Sequence, residues 1–335
     1  MQLRSVLQKT LAVLVLAAAT SSIPAFAQEP GSKPEMPSAP AAPSAPSASR
    51  FPPPDPKNFT AASPTRATVE AFLKVSWGYD TDRIYQVQAI QNTAAPGISK
   101  VTVFVAQKSN SNPQQVATLA FYVTPDGKHL ISNDLSMLVF GDHPYADARR
   151  ILSARADGPS RGSADKKSGF IEFADFQCPH CKAVQPIIDR LLTDFPQAHF
   201  VFENFPLTAL HSEAYKAATY SVCVAQQSGN EAFFKFADAV FAAQDGLTPQ
   251  TSDATLADAV TKVGLDPAKV GSCSYTAAAK GSVDASIKLG QDVDVNQTPM
   301  FFVNGRQIPI GEVANNDIPY ETLKQIVAYQ LSLDQ

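Results

Sequence analysis

The chain has 335 residues, 44% hydrophobic and 17% charged, enough apolar material for two ordinary domains and too much for a disordered protein. Its 27 Lys plus Arg against 31 Asp plus Glu leave a formal net charge of -4, with no basic excess to attract nucleic acid. The cysteines number 4, too few for a disulfide-scaffolded miniprotein or a pair of zinc ribbons.

In chain order, Arg4 and Lys9 come first, then the apolar run from Leu11 to Ala19, then Ala25-Phe26-Ala27. Charge, apolar core and small-residue site in that order predict a secretory signal peptide over residues 1–27. A membrane anchor is the alternative, but the run falls short of the roughly 20 residues that span hydrocarbon. Export would place the mature protein, soluble, in the periplasm or outside the cell, where disulfides persist. Residues 28–64 hold 11 of the 26 prolines among Ala and Ser, a composition that cannot offset the entropy of ordering and predicts an extended linker.

A small α+β domain is expected over residues 65–152. Val69, Phe72, Leu73 and Trp77 are spaced for one helix. Strands follow over 84–90, 101–105 and 120–123, and Pro125-Asp126-Gly127 turns the last into 129–131 as a hairpin. The single histidines His129 and His143 read as surface or packing residues. Residues 153–167, rich in Ser, Gly, Asp, Arg and Lys, read as a hinge.

The domain at 168–335 opens with the strand pattern Gly169-Phe170-Ile171-Glu172-Phe173 and reaches Cys178-Pro179-His180-Cys181. Helical periodicity begins directly afterwards, so Cys178 falls at a helix N-terminus, with Pro179 in the first turn where a missing N–H costs nothing. Unpaired N–H groups and the helix dipole favour thiolate over thiol there, and a charged His180 would add to the effect. Cys178 is therefore the attacking thiol and Cys181, one turn in, the resolving thiol. A zinc knuckle would need two further ligands, and Lys182 stands where a c-type haem motif requires His. No metal and no cofactor are expected.

These residues, together with Thr298-Pro299-Met300-Phe301-Phe302-Val303-Asn304-Gly305, resemble the DsbA branch of the thioredoxin superfamily over about residues 168–333. The resemblance implies an α/β domain of thioredoxin fold with an all-helical insertion, here over 205–296, where 209–227, 231–243, 254–263 and 277–289 read as helices. It implies that Thr298-Pro299 is cis and faces the redox pair, that Glu172 is a buried acidic proton carrier, and that Pro186 is the helix-kinking proline. The alternative for Glu172 is a carboxylate on a strand edge at the surface. Cys223 and Cys273 read as a structural disulfide, with a second redox pair as the sharper alternative.

The activity implied is thiol-disulfide oxidoreductase. A stabilised Cys178 thiolate and His180 favour an oxidase, whereas Thr298 before the proline and the extra front domain resemble a dimeric disulfide isomerase or reductase. Its partners would be reduced or unfolded secreted proteins and a second redox protein, quinone-linked or reducing, that resets the pair. A homodimer through 65–152 is expected for the isomerase. A non-catalytic envelope-binding or chaperone protein on the same scaffold is the reading from another class.

Overall fold

A computed structural model describes residues 50–109, 116–132 and 137–333. The expected signal peptide and the linker up to residue 49 lie outside the described residues.

The first unit is a helix on a five-stranded antiparallel sheet. Helix α1 (Arg66–Trp77) begins where the Thr65 side chain accepts from Thr68 N at 3.1 Å, and its buried Val69, Leu73 and Trp77 recur every four residues to form one apolar stripe. Strands β1 (Arg83–Asn92), β2 (Ser99–Gln107), β3 (Ala117–Val123), β4 (His129–Ile131) and β5 (Met137–Val139) follow in spatial order. The register shifts between Val87 and Ala89, so four consecutive residues from Val87 to Ile90 are buried, a bulge breaking strict alternation. The expected turn is present: Gly127 N donates to Thr124 O at 2.9 Å, and Asp126 accepts from His129 Nδ1 at 2.9 Å.

Residues 50–64 correct the expected linker boundary. Phe51 is buried and packs on Phe104, Gln88 Nε2 donates to Pro52 O, and Phe59 bridges to Ile90. Two aromatic side chains hold this Pro-rich segment on the sheet, so residues 50–64 are part of the folded unit. The hinge expected over 153–167 is also replaced by structure. Helix α2 (Ala146–Arg155) buries Leu152 in the core of the second unit, and β6 (Ser160–Gly162) is an edge strand of its sheet.

That second sheet runs β10-β9-β7-β8-β6. Its centre is β7 (Ser168–Ala174), parallel to β8 (Ala198–Asn204) and antiparallel to β9 (Met300–Val303), which turns into β10 (Arg306–Ile308). Helix α3 (Pro179–Asp194) joins β7 to β8. Between β8 and β9 lies the helical insertion: α4 (Ala214–Ala242), α5 (Ser252–Lys262), α6 (Pro267–Ser274) and α7 (Ala277–Gln291). Two short C-terminal helices, α8 (Ile310–Ala314) and α9 (Tyr320–Ser332), complete it. This is the α/β architecture with helical insertion that the motif pattern implies. Alternation on the buried strands divides two cores, with Phe170, Phe200 and Phe301 on one face and Ile171, Phe173 and Phe302 on the other. Gly229, at φ 75° and ψ -170°, kinks α4 where a break was expected. Cys223 and Cys273 are disulfide-bonded, tying α4 to α6.

The two units meet at Arg306, itself 9% exposed. Its guanidinium donates to Ser76 O at 2.7 Å and Val75 O at 3.4 Å, at the carbonyl end of α1, and faces the rings of Tyr79 and Tyr145. A cation on the negative end of a helix, capped by aromatic faces, is favourable on both counts. Arg306→Ala is expected to destabilise the protein by about 2 kcal/mol, the worth of hydrogen bonds to a buried charge. It should also separate unfolding in guanidinium chloride into two transitions, whereas a curve superimposable on the parent's would contradict this role.

Candidate active site

The redox pair sits where β7 ends and α3 begins. Cys178 is the N-cap of α3 and Pro179 occupies its first turn; both cysteines are free thiols, Cys178 4% exposed and Cys181 fully buried. The Cys178 carbonyl accepts from Cys181 N at 3.1 Å, and the loop is closed by Cys178 N on Asp175 O at 3.1 Å. Pro179 and His180 are exposed. Across the site Thr298-Pro299 is a cis peptide bond, with the Thr298 carbonyl 3.5 Å from Cys178 Sγ. The expected Cys178, Pro179, Cys181, Thr298 and Pro299 are thus in one place, although 120 residues separate Cys178 from Thr298.

The two thiols are driven apart in acidity. The hydrogen bond from the Cys181 thiol lowers Cys178 to about 5, helped by the Cys181 N–H, by Thr298 and by the His180 N–H, and opposed by burial. The His180 group in that set is the backbone N–H; the imidazole points into solvent. Cys181 is raised well above an ordinary thiol by burial and by the hydrogen bond it donates. The attacking sulfur is ionised at neutral pH and the resolving sulfur is kept as thiol.

Glu172 is on the central strand, fully buried beneath α3 and not at a sheet edge. Burial raises its carboxyl to about 8, and Gln185 Nε2 opposes this by donating to Glu172 Oε1 at 2.9 Å. The same nitrogen donates to the Cys181 carbonyl at 3.0 Å, and Glu172 Oε2 has no hydrogen-bond partner among the described residues. An acid that is neutral at pH 7 beside the resolving cysteine can give or take one proton.

Four further residues shape the site without a local signal in the sequence. Gln244 Nε2 donates to Phe176 O at 2.8 Å and Cys178 O at 2.9 Å, and Gln177 spans from Leu247 O to Glu213 N, fastening the redox loop to the insertion. Asp175 is buried and accepts from His211 Nδ1 at 2.7 Å. Among the described residues, no group of three or more His, Cys, Asp and Glu could hold a metal ion.

A thioredoxin family model matches residues 155–328, just over half of the chain. The chain belongs to the thioredoxin family. The Cys178 and Cys181 pair, two free thiols separated by two residues at the start of α3, lies within the matched segment. Disulfide bond formation protein D of Bacillus subtilis is 24% identical over 179 residues, 52% of this chain and 77% of that protein. The Na(+)/H(+) antiporter NhaA 3 of Salinispora tropica is 33% identical over 153 residues, 44% of this chain; the aligned part spans 22% of the antiporter. The solved structure of oxidised BdbD from Bacillus subtilis is 21% identical, with a TM-score of 0.45, and covers 52% of this chain and 93% of its own. This thioredoxin-family chain adds the five-stranded front sheet, and no helix among the described residues is long and apolar enough to cross a membrane.

The lowered Cys178 pKa fixes a pH dependence. A thiol whose folded pKa lies below its ordinary value of 9.0 stabilises the reduced fold fully above that pH and loses the contribution as pH falls through about 5. Glu172 acts oppositely in both redox states, its contribution being present below 4.5 and lost as pH rises through about 8. The Tm of reduced protein minus that of oxidised protein should therefore rise between about pH 5 and 9. In Cys181→Ala, which removes the largest cause, the Cys178 thiolate absorbance should titrate at higher pH; an unchanged midpoint would contradict the assignment.

Proposed function

We propose that the protein is a thiol oxidase that introduces disulfides into reduced, unfolded proteins outside the cytoplasm. The observation that carries this is the acidity of Cys178, lowered to about 5. A stabilised thiolate favours the reduced enzyme, and the disulfide form is then a strong oxidant. In the forward reaction a substrate thiolate attacks Cys178 Sγ, the Cys178–Cys181 bond breaks, and its electron pair leaves on Cys181. Glu172, neutral at pH 7, supplies a proton to that sulfur. A second substrate thiolate then attacks the substrate sulfur and releases Cys178 as thiolate. Two electrons and one proton have passed from two substrate thiols to the pair, the other proton going to solvent because Cys178 stays ionised, and a second redox protein, quinone-linked in the oxidase reading, must remove the electrons. The leader expected over 1–27 supports an extracytoplasmic site of action.

A disulfide isomerase acting as a dimer through the front sheet is the second reading. What favours it is β5, at the edge of the sheet among the described residues, whose Leu138 and Val139 are 51% and 49% exposed, an apolar edge of the kind that recruits another strand. The oxidised protein, mixed with a reduced unfolded substrate and no other oxidant, is expected to convert about one pair of substrate thiols per enzyme molecule, as the electron balance requires. Cys178→Ser should reduce this to the uncatalysed rate. Retained activity in that variant would refute Cys178 as the nucleophile. Disulfide shuffling without net oxidation, together with a dimer by light scattering, would favour the isomerase.

A further inference from the structure

His211 lies before α4 and reaches back to the redox loop. Its Nδ1–H donates to Asp175 Oδ2, and the same carboxylate accepts from two backbone groups, Gln177 N on Oδ1 at 2.7 Å and Leu207 N on Oδ2 at 2.8 Å. Asp175 is 1% exposed, and burying a carboxylate is costly unless its oxygens are satisfied. Here three donors satisfy it, two from outside its own loop.

The main chain of Asp175 touches both members of the redox pair. Its carbonyl accepts from Cys178 N at 3.1 Å, and its N–H donates to Cys181 Sγ at 3.4 Å. Burial, the hydrogen bond to the Cys178 sulfur and the charge on that sulfur hold Cys181 in its protonated form, while the Asp175 N–H acts the other way. A donor aimed at a sulfur matters most when that sulfur carries charge.

We propose that His211 and Asp175 are positioning residues for disulfide exchange: their hydrogen bond holds the Asp175 N–H on Cys181, where it stabilises the charge that develops as the enzyme disulfide is opened. In that step an incoming thiolate forms a bond to Cys178 Sγ, the Cys178–Cys181 bond breaks, and the electron pair departs on Cys181 Sγ. A better-stabilised leaving thiolate leaves faster. By microscopic reversibility the same contact assists Cys181 when it closes the disulfide and expels substrate. The inference rests on the exchange chemistry that oxidase and isomerase share and not on the direction of electron flow.

The test is stopped-flow mixing of the oxidised protein with an excess of a fluorescent single-cysteine peptide, which reports formation of the mixed disulfide. His211→Ala should slow this step by roughly three- to tenfold, as for a leaving thiol whose acidity falls by about one unit. The Cys178 thiolate titration in the reduced protein should stay where it is. His211→Asn carries an N–H donor, Nδ2, at the same bond distance from Cβ as Nδ1 and should restore the rate to within about twofold of the parent. A rate unchanged in His211→Ala would overturn the inference, as would failure of His211→Asn to rescue or a parallel shift of the Cys178 titration. A parent protein that forms no mixed disulfide would overturn both the inference and the exchange chemistry beneath it.

Discussion

The hydrogen bond from the Cys181 thiol to the Cys178 sulfur divides two chemically identical side chains into an ionised nucleophile and a protonated partner. It requires both sulfurs on the first turn of α3, with Cys178 as N-cap outside the helix and Cys181 inside it. Pro179 can stand between them because the first-turn N–H it lacks has no helical partner to lose. Burial opposes the ionised form at Cys178 and reinforces the neutral form at Cys181, so it pushes both thiols the same way and the hydrogen bond between them is what sets them apart.

The surrounding fold holds this arrangement from three sides. Strand β7 delivers Glu172 beneath α3, the β9 approach brings Thr298-Pro299 across the sulfur, and the insertion sends in Gln244 and His211. Each hydrogen bond is modest in net worth, but together they fix a loop whose backbone N–H groups carry chemical function. The front sheet joins the same frame through Arg306, which stands on β10, the partner of β9. The redox cleft and the front sheet are thereby connected through two adjacent strands.

Much of this was legible in the sequence because it is local. A buried strand, a cysteine pair separated by two residues and helical periodicity lie within about two dozen consecutive positions, and periodicity of that length is the strongest sequence signal. Glu172 differed in kind: alternation places it on one face of β7 without saying that α3 covers that face, so its burial needed the tertiary structure. Asp175 and His211 are 36 residues apart, and Gln244 is 66 from Cys178, distances at which no pattern pairs side chains. Strands β5 and β6 have three residues each, too few to show alternation. The linker boundary failed because Phe51 and Phe59 are isolated apolar residues in a Pro-rich stretch, where composition outweighs a single buried ring.

The reduction potential of the Cys178/Cys181 couple, equilibrated against glutathione across pH, tests the central claim most directly. If the hydrogen-bonded thiolate governs the site, the potential is oxidising, near the ~-120 mV of a strong oxidant, and its dependence on pH changes slope near pH 5, where Cys178 titrates. A potential near the ~-270 mV of thioredoxin, with no change of slope until the pH of an ordinary thiol, would contradict it.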